Sequence, residues 1–374
     1  MRVLSISTDR KMFERGSAVR ARLLEYGGLA EELHVLVFAK RSLRLRDETI
    51  SPNIFLYPTN SFGKFFHIPA AIIRALALKR RCVEIDVVTT QDPFEAGVAG
   101  YIIARIFNAR LHIQIHTDFL SPYFARESLL NRARAIVAKL LIPRANVLRV
   151  VSKRIKNSLS RAGCNVSVLP IFVDVAHIVH AQPIEKKFPQ FEKIILVAAR
   201  LSREKNIGSA IEAFASVVKK YPKTGLIIAG DGPELKALVL KVATCQLEPN
   251  IIFEGWQNDL VPYYKVADAL VLSSYYEGYG MVAVEALVAG CPVIMTDAGC
   301  AGDVVRDGEN GLVIPVGDTT ALAYAMERVV SGKVKLTAKP PRLPTKEEYL
   351  AAYKKSWEDA MRKNSNINIK VVLV

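Results

Sequence analysis

Residues 268–297, DALVLSSYYEGYGMVAVEALVAGCPVIMTD, indicate the fold class of the chain most directly. Apolar residues predict one strand over 268–274 and a second over 292–297. Small residues form a loop after the first strand, and an apolar helix pattern follows over 281–289. Near-continuous apolar strands joined through a helix indicate a parallel sheet that is covered on both faces.

The same alternation of strand and helix runs through most of the chain. Predicted strands cover 2–7, 33–38, 85–90, 110–116 and 147–152, and then 193–200, 224–230, 250–255, 268–274 and 292–297. Predicted helices cover 18–31, 69–81, 95–107, 128–142, 206–220, 233–244 and 281–289. A chain of 374 residues exceeds the size of a single core. The two series therefore predict an α/β protein with two doubly wound domains that face each other across a cleft.

Prolines and a final helix set the predicted domain boundaries. We place the first domain at residues 1–170 and the second at 171–344, with a proline-containing connector at 168–193. Residues 345–374 predict a helix and then a tail, 366–374, for which the sequence indicates no role. Because ligands of open α/β sheets bind outside the carboxyl ends of the strands, the loops that follow strands are the candidate site.

Composition argues against a membrane-spanning or disulfide-stabilised protein. No charge-free apolar run reaches the roughly 18–20 residues that span a bilayer, and the opening segment MRVLSISTDRKMFER has too short an apolar run for a secretory signal. The five cysteines form no C-x-x-C pair, and the six histidines lack metal-ligand spacing. We therefore expect a cytoplasmic protein with reduced thiols and no metal site.

The positive charge of the chain is concentrated in its first half. The formal net charge is +15, and residues 1–170 hold 27 Lys and Arg against 13 Asp and Glu, whereas the remainder holds 24 against 23. A basic surface attracts nucleic acid, anionic membranes or anionic substrates, and composition alone does not choose among them.

The loop and helix start of the opening stretch have the features of an anion site. Gly280 lets the backbone approach a ligand closely, and the amides of Met281 and Val282 are free donors for a phosphate. Glu277 precedes the helix, and Glu285 lies inside it, where a carboxylate accepts hydrogen bonds from a vicinal diol such as that of ribose. Alternatively, Glu277 only complements the helix dipole and Glu285 faces solvent.

Two cations follow an earlier strand in the same half of the chain. In VAARLSREKNIGSAIEAF, residues 197–214, Arg200 closes the strand and Lys205 lies just before the next helix. Cations at such a junction neutralise a diphosphate, and Arg200 binds one through its two-pronged guanidinium group. The alternative is that both are solvated surface charges.

Five motifs occur in a fixed order along the second half. They are ARLSREKN (199–206), AGDGPE (229–234), FEGW (253–256), YEGYGMVAVEALVAGCPVI (276–294) and DGENGLVIPVGD (307–318). Together they resemble the retaining nucleotide-sugar glycosyltransferases of family 4. Looser similarity extends through the first half, including HIQIHTDF around His116 and VVSKRI after a strand.

The resemblance implies the GT-B fold, in which two Rossmann-like domains hold the active site between them without a metal or a cofactor. It implies a UDP or GDP sugar on the second domain and the acceptor on the first. Arg200 and Lys205 match the pair that clamps the diphosphate. Glu285 matches the glutamate that binds ribose, and Glu277 matches the one that faces the donor sugar. His116 matches a histidine that contacts that sugar, although the residues alone favour a core histidine at a strand end.

The remaining candidate residues also come from the resemblance. Gly280, Met281 and Val282 match the phosphate-binding helix start, and Glu254 and Trp256 lie where the family holds the base. Members of the family often carry two adjacent glycines in the first loop, where this chain has only Gly16, which we assign to the donor side. We assign Arg20 and Asp92 to the acceptor side. Asp303 stands where Glu is common, and we expect it to be structural. The final helix is expected to return to the first domain, as in other members of the family.

Two apolar and basic segments bear on the identity of the acceptor. Residues 126–144 place seven apolar residues on one face at helical spacing, beside basic residues: Leu129, Leu130, Ala133, Ile136, Val137, Leu140 and Leu141. Residues 61–81 contain three phenylalanines and end in Lys79-Arg80-Arg81. Such segments anchor proteins to anionic lipid. We therefore favour a lipid-linked or membrane-surface acceptor, with the protein peripheral on the inner face of the cell membrane. The alternative is that each apolar face packs on the sheet and the cations face water.

Two other interpretations of the function stay open. One is a glycosyltransferase with a soluble sugar or metabolite as its acceptor. The other is a catalytically inactive protein that binds RNA or another polyanion through its basic half, although the chain lacks an aromatic RNA-recognition signature and no specific nucleic acid is expected. A nicotinamide dehydrogenase is disfavoured, because no G-x-G-x-x-G motif follows the opening strand.

Overall fold

The computed structural model of the chain describes residues 1–159, 165–182 and 187–362. Cys164 and the tail at 366–374 lie outside the described residues. Within them, two sheets of mainly parallel strands are covered by helices on both faces. The predicted α/β class with two doubly wound units is confirmed.

The first sheet has eight strands in the order β3-β4-β2-β1-β5-β6-β7-β8. Its neighbouring strands are parallel except for β3 and β4, which form an antiparallel pair at one edge. The strands are β1 (Arg2–Ser7), β2 (Glu32–Val37), β3 (Glu48–Ser51), β4 (Ile54–Pro58), β5 (Val87–Thr90), β6 (Arg110–Ile115), β7 (Val147–Val150) and β8 (Val166–Val168).

The second sheet has six parallel strands in the order β11-β10-β9-β12-β13-β14. Its chain order reverses beside β9, which is the place where an open α/β sheet forms a ligand crevice. The strands are β9 (Lys193–Ala198), β10 (Thr224–Ala229), β11 (Ile251–Gly255), β12 (Ala269–Leu272), β13 (Val293–Thr296) and β14 (Gly311–Ile314).

Thirteen α-helices lie within the described residues. They are α1 (Ala18–Gly27), α2 (His67–Arg80), α3 (Glu95–Phe107), α4 (Pro122–Glu127), α5 (Leu129–Leu141), α6 (Lys153–Ser158), α7 (Val175–His180), α8 (Ile207–Lys220), α9 (Leu235–Thr244), α10 (Val261–Tyr264), α11 (Met281–Val288), α12 (Thr319–Val330) and α13 (Lys346–Met361).

Every strand predicted from the sequence is present, with its ends close to the predicted residues. The predicted helices are present too, but α1 ends at Gly27 instead of residue 31, because two consecutive glycines weaken the helix there. The prediction missed α12, although Asp318 caps its first turn and its buried residues repeat at helical spacing. It also missed β3, β4, β8 and β14, although the buried residues of β4 alternate with less buried ones.

Helices cover the two faces of each sheet in a regular way. One face of the first sheet packs on α2, α3 and α5, and the other packs on α1 and α13. One face of the second sheet packs on α10 and α11, and the other packs on α8, α9 and α12. Successive strand residues alternate between these cores, as Val3 and Leu4 do, because side chains alternate across a strand.

The last helix, α13, lies on the first sheet. Thr345 and Glu348 form a capping box at its start. Tyr349, Tyr353 and Trp357 are buried and follow at intervals of four, so they share one face of the helix. The hydroxyl of Tyr353 accepts a hydrogen bond of 2.9 Å from Gln114 of β6. The chain therefore crosses back from the second sheet to close the far face of the first.

No helix in the described part of the chain is long and apolar enough to cross a membrane.

Candidate active site

Three adjoining cavities lie between the two sheets, and Met281 lines all of them. The central cavity, of about 430 Å³, contacts both the end of β6 at His116 and the start of α11. The first-sheet cavity, of about 440 Å³, is lined by Asp92, Gln114, Arg149, Tyr353 and Trp357 among others. The second-sheet cavity, of about 720 Å³, is lined by Arg200, Trp256, Asp259 and Glu285 among others. These three cavities form the cleft.

The start of α11 faces the central cavity. Gly280 precedes it in the left-handed conformation, with a φ of 87°. No side chain of the described residues caps this helix start. Gly280, Met281 and Val282 line the central cavity. The first amides of a helix lack partners within the helix, so this terminus presents donors and a positive dipole to a ligand.

Lys205 and Glu277 form an ion pair at the central cavity. The Nζ atom of Lys205 lies 2.6 Å from Oε1 of Glu277, and the hydroxyl of Ser274 donates to the same oxygen at 2.8 Å. The hydroxyl of Ser273 donates to the carbonyl of Lys205 at 3.0 Å, which fixes the turn after β9 to the end of β12. The predicted cation and the predicted carboxylate are therefore brought together, and each compensates the charge of the other.

Arg200 lies where the central and second-sheet cavities meet. Its guanidinium group is 2.9 Å from Oε1 of Glu204, and its side chain is 67% exposed. The hydroxyl of Ser202 also donates to Glu204, at 2.6 Å. The Arg200 side of this pair is exposed to solvent, which weakens the attraction, so the guanidinium group can turn towards a ligand in the cleft.

Glu285 lies on α11 and lines the second-sheet cavity. The hydroxyl of Tyr264 donates to its Oε2 at 2.9 Å. Burial raises the pKa of Glu285, and the nearby Asp259 raises it further. The alternative in which Glu285 is a solvated face residue is therefore wrong, and its second oxygen is available to the cavity.

His116 follows β6 and lines both the central and first-sheet cavities. Its Nε2 lies 3.3 Å from Oε1 of Gln114. Burial, and then the charge of Arg149, lower the pKa of His116 to about 3. The imidazole is therefore neutral near pH 7 and acts as a hydrogen-bonding group rather than as a cation.

The predicted base-side residues differ in their placement. Trp256 lines the central and second-sheet cavities. The carboxylate of Glu254 is held by Lys187 and by the hydroxyl of Tyr263, the latter at 2.6 Å. Its main-chain carbonyl accepts from Gln257 at 2.7 Å. The structure thus brings Trp256 to the cleft and keeps Glu254 in a separate hydrogen-bond cluster.

The residues predicted near the N-terminal loop are only partly brought to the cleft. Asp92 lines the first-sheet cavity, and burial raises its pKa to about 6. Arg20 instead pairs with Glu48 at 2.6 Å. Gly16 has a φ of 82° and an open environment, and neither it nor Arg20 is among the described residues that line the three cavities. Arg22 lines the first-sheet and second-sheet cavities and was not predicted.

Sequence reasoning also missed Arg149 and Gln114, which line the first-sheet cavity. Both are buried residues on central strands of the first sheet. A signal was present, because a polar or charged residue inside an apolar strand is uncommon unless it is paired. His177 and Asp259, on the second-sheet cavity, gave no such signal because they lie in exposed segments.

Contacts between the two halves hold the cleft on one side. Lys153 of α6 pairs with Asp303 at 2.6 Å, which is the structural setting of the aspartate singled out in the sequence. Tyr123 of α4 stacks on Tyr275 with the ring centroids 5.2 Å apart. These contacts join α4 and α6 of the first half to loops that follow β12 and β13 of the second.

Comparison with known families matches both halves of the chain. The model described as Glycosyltransferase Family 4 matches residues 22–177, and the model described as Glycosyl transferases group 1 matches residues 180–342. The chain is 24% identical over 308 residues to N-acetyl-alpha-D-glucosaminyl L-malate synthase of Bacillus anthracis, covering 79% of each protein. It is 28% identical over 228 residues to alpha-monoglucosyldiacylglycerol synthase of Streptococcus pneumoniae, covering 56% of this chain and 52% of the relative.

Solved structures show the same architecture over nearly the whole chain. Sucrose-phosphate synthase of Thermosynechococcus elongatus superposes with a TM-score of 0.73 at 18% identity, over 96% of this chain and 94% of the other. HepE of Anabaena, in complex with UDP-glucose, superposes with a TM-score of 0.69 at 19% identity and the same coverage. At such identities the likeness establishes the fold, and the two family models establish the lineage. The chain therefore belongs to the family 4 glycosyltransferases and has their GT-B fold.

Proposed function

We propose that the protein transfers a sugar from a nucleoside-diphosphate sugar to an acceptor hydroxyl, with retention of the anomeric configuration and without a metal or a cofactor. The observation that carries this proposal is the convergence of Arg200, Lys205 and the uncapped start of α11 on one cavity, beside Glu285. Two cations and a helix start suit the diphosphate of a donor, and the neighbouring carboxylate suits its ribose.

The central cavity would hold the diphosphate. A diphosphate at the helix start gains from the α11 dipole and from Arg200, whose guanidinium group is held only by an exposed ion pair. It also competes with Glu277 for Lys205. When Lys205 turns to the phosphate, Glu277 is released to accept hydrogen bonds from the donor sugar. Before the donor binds, the ion pair therefore neutralises the charges of Lys205 and Glu277.

The second-sheet cavity would hold the nucleoside. Glu285 keeps one oxygen on Tyr264 and presents the other to the ribose hydroxyls. Trp256 provides an exposed ring and backbone near the base. The complexes of HepE with UDP-glucose and with UDP support a uridine nucleotide as the first donor to be tested.

The charges in the cleft are compatible with the following proposed chemical step. The bond from the sugar C1 to the diphosphate breaks, and the acceptor oxygen bonds to C1 on the same face. The acceptor proton passes to the departing phosphate oxygen. The cations and the helix amides stabilise the negative charge on the leaving group. Neutral His116 contacts the sugar by hydrogen bonding, and no protonated histidine is required.

An exposed apolar stripe on α5 supports an acceptor at a membrane surface. Leu129, Ala133, Ile136 and Leu140 recur at helical spacing and are exposed, Leu129 to 79%. The buried residues of the helix are instead Asn131, Ala135, Ala138 and Leu141. The stripe is therefore not the core-facing side of the helix. An apolar stripe flanked by cations on a basic half suits an anionic lipid surface.

A second exposed apolar site precedes α2. Phe62 and Phe65 project from the same basic half, Phe65 to 96% exposure, on either side of Lys64. Helices α2 and α5 both flank α3 on one face of the first sheet. By name, the Streptococcus pneumoniae relative forms a glucosyl diacylglycerol, which supports a lipid acceptor.

A soluble acceptor is the second candidate. The relative from Bacillus anthracis is named for transfer to L-malate, and the match spans 79% of that protein. This candidate predicts turnover with a water-soluble acceptor and no dependence on vesicles.

The proposed activity is tested with a panel of nucleoside-diphosphate sugars, UDP-glucose first. We expect one of them to raise the melting temperature, to be hydrolysed slowly without an acceptor, and to give an α-linked product from an α-linked donor. Product stereochemistry by NMR reports retention, and unchanged turnover in EDTA reports metal independence. Absence of binding and hydrolysis across the panel contradicts the proposal and favours the inactive polyanion-binding alternative.

The membrane part of the proposal is tested by vesicle flotation. We expect binding to anionic but not zwitterionic vesicles, with loss at high salt. The double variant Ile136→Glu/Leu140→Glu should lose binding. The matched control is Leu240→Glu on α9, because Leu240 is 67% exposed, against 57% for Ile136 and Leu140, but lies in the second half. Equal flotation of all variants, or none by the parent protein, contradicts a membrane role for α5.

A further inference from the structure

The first-sheet cavity has a polar and aromatic lining that the proposed donor site does not use. It joins the central cavity through His116, Ile171 and Met281. Its floor includes Arg149 of β7, and Tyr353 and Trp357 of α13. A molecule in this cavity therefore reaches the place where the donor sugar would lie.

Arg149 is a buried cation with only neutral partners. It is 2% exposed. One terminal nitrogen donates to the amide oxygen of Gln114 at 2.6 Å. The other donates to the carbonyl of Leu169 at 3.2 Å and to the hydroxyl of Tyr349 at 3.1 Å. No carboxylate of the residues that the structure describes forms an ion pair with Arg149, and its Nε has no hydrogen-bond partner among them.

A buried charge without a counter-ion is costly. A buried guanidinium group is ordinarily paired with a carboxylate, because desolvation is otherwise not offset. The ring of Tyr353, whose centroid lies 4.6 Å from the guanidinium carbon, offers a partial cation–π contact. Trp357 also lines the cavity, and its Nε1 is buried without a hydrogen-bond partner among the described residues.

The carboxylates that line this cavity have other partners. Oδ1 of Asp92 accepts from the amide of Phe94 at 2.7 Å and from that of Ala96 at 3.3 Å. Oδ1 of Asp9 accepts from the amide of Lys11 at 3.0 Å. The carboxylates are therefore committed to the starts of helical segments, and the counter-charge of Arg149 has to come from elsewhere.

We propose that the first-sheet cavity binds an anionic group of the acceptor, a carboxylate or a phosphate, with Arg149 as its counter-charge. Trp357 Nε1 donates to the same group, and Arg22 at the rim adds a second positive charge. That the bound molecule is the acceptor of the transfer rests on the proposed function. The anion site itself stands on the burial and the missing partner of Arg149.

The test titrates inorganic phosphate and succinate into the full chain, with the donor site filled by a saturating nucleoside diphosphate. The chain has two tryptophans, so both indole N–H resonances are readily followed by NMR. We expect the Trp357 resonance to move with the anion and the Trp256 resonance to stay. The inference is overturned if only the Trp256 resonance moves, or if neither resonance moves. This test needs no variant of the protein.

Variants provide an independent measure by calorimetry. Arg149→Gln should weaken phosphate binding by about tenfold or more, since a charged hydrogen-bonded contact is lost. The control Arg203→Ala, whose side chain is 75% exposed beside Glu234 and lines none of the three cavities, should leave phosphate binding within about twofold, a change too small to involve a direct charged contact. Equal phosphate affinity of Arg149→Gln and the parent protein overturns the inference. The exposed Arg22→Ala is a second variant that avoids the core, and it should weaken binding by a smaller factor.

Two sources of the anion are separated by a further pair of probes. Glycerol 3-phosphate represents a soluble organic phosphate, and vesicles of phosphatidic acid represent a lipid headgroup. If Arg149→Gln loses affinity for only one probe, that probe identifies the source of the anion. If Arg149→Gln loses affinity for neither probe, the inference is overturned. Nucleoside diphosphate affinity is measured on the same samples. If no nucleotide binds but the Trp357 response persists, the proposed function fails while the anion site stands.

Discussion

The main chain of Gly278 lies directly against the carbonyl oxygen of His116. A Cβ atom added at Gly278 would fall 1.8 Å from that oxygen. His116 follows β6 of the first sheet, and Gly278 precedes α11 of the second, so the contact joins the two halves at the cleft. A clash with backbone is not relieved by rotating a side chain, and glycine is therefore required for the halves to approach this closely.

Replacing Gly278 by Ala should force His116 and the start of α11 apart. We expect kcat/KM for transfer to fall by about 100-fold, because small displacements at a reacting centre are costly. Nucleotide affinity should fall by a smaller factor than transfer, since the start of α11 moves but Arg200 and Glu285 are untouched. Steady-state kinetics and calorimetry measure the two quantities. The control is Gly63→Ala, which has open space around its Cα. Parent-like transfer by Gly278→Ala would show that the contact is dispensable.

Removing either cation of the cleft should slow turnover more than it weakens binding. We expect Arg200→Ala and Lys205→Ala each to lower kcat by about 10²–10³, in line with the loss of a group that stabilises developing negative charge. The matched control is Arg203→Ala, because Arg203 lies in the same turn and its side chain is 75% exposed beside Glu234. Parent-like donor hydrolysis and transfer in both cleft variants would contradict the diphosphate assignment.

Removing Glu285 should mainly weaken nucleotide binding. Its carboxylate accepts from Tyr264 and faces the second-sheet cavity, so Glu285→Ala loses contacts to the nucleoside rather than to the leaving group. We expect the Kd of the nucleoside diphosphate to rise by about 10-fold or more, as for a hydrogen bond to a charged group. Tyr264→Phe should give a smaller rise. Calorimetry measures both, and an unchanged Kd in Glu285→Ala refutes the role.

The glycines at the two ends of α11 form a matched pair. Gly280 precedes the helix with a φ of 87°, and Gly290 follows it with a φ of 86°. Alanine should cost about 1–2 kcal/mol of stability at either position, because both need the left-handed conformation. Only Gly280→Ala should also weaken donor binding, since only that end faces the central cavity. Urea unfolding and calorimetry separate the two effects, and equal donor affinity in both variants would argue against a phosphate at the helix start.

His116 should stay neutral across the physiological pH range. Burial and Arg149 lower its pKa to about 3, below the ordinary value of 6.5. The unfolded chain therefore binds a proton that the folded chain does not, and stability falls as the pH drops from about 6.5 towards 3. His112 contributes in the same direction, with its pKa also lowered to about 3. Histidine NMR should show no titration of His116 between about pH 5 and 8. An inflection in that window contradicts the buried neutral state.

Local patterns were sufficient for the elements and for part of the site. The strands before Arg200 and Glu277 and the helix that begins at Met281 were predicted because strand and helix periods span only a few residues. The turn at Gly280 and the position of Glu285 within α11 were predicted from equally short stretches of sequence. Glu254 shows the limit of this reasoning, since its motif gives no sign that Lys187 and Tyr263 hold its carboxylate.

The sequence alone determined the alternation of strands and helices, the basic character of the first half and the loops in which the site would lie. Only the tertiary structure decided that His116 meets Gly278, that Arg149 is buried without a carboxylate, and which face of α5 is covered. The apolar pattern of α5 could not show its packing, because the buried side includes the small residues Ala135 and Ala138 while Leu129 and Leu140 are exposed. Such contacts join residues far apart in the chain, and no short-range period encodes them.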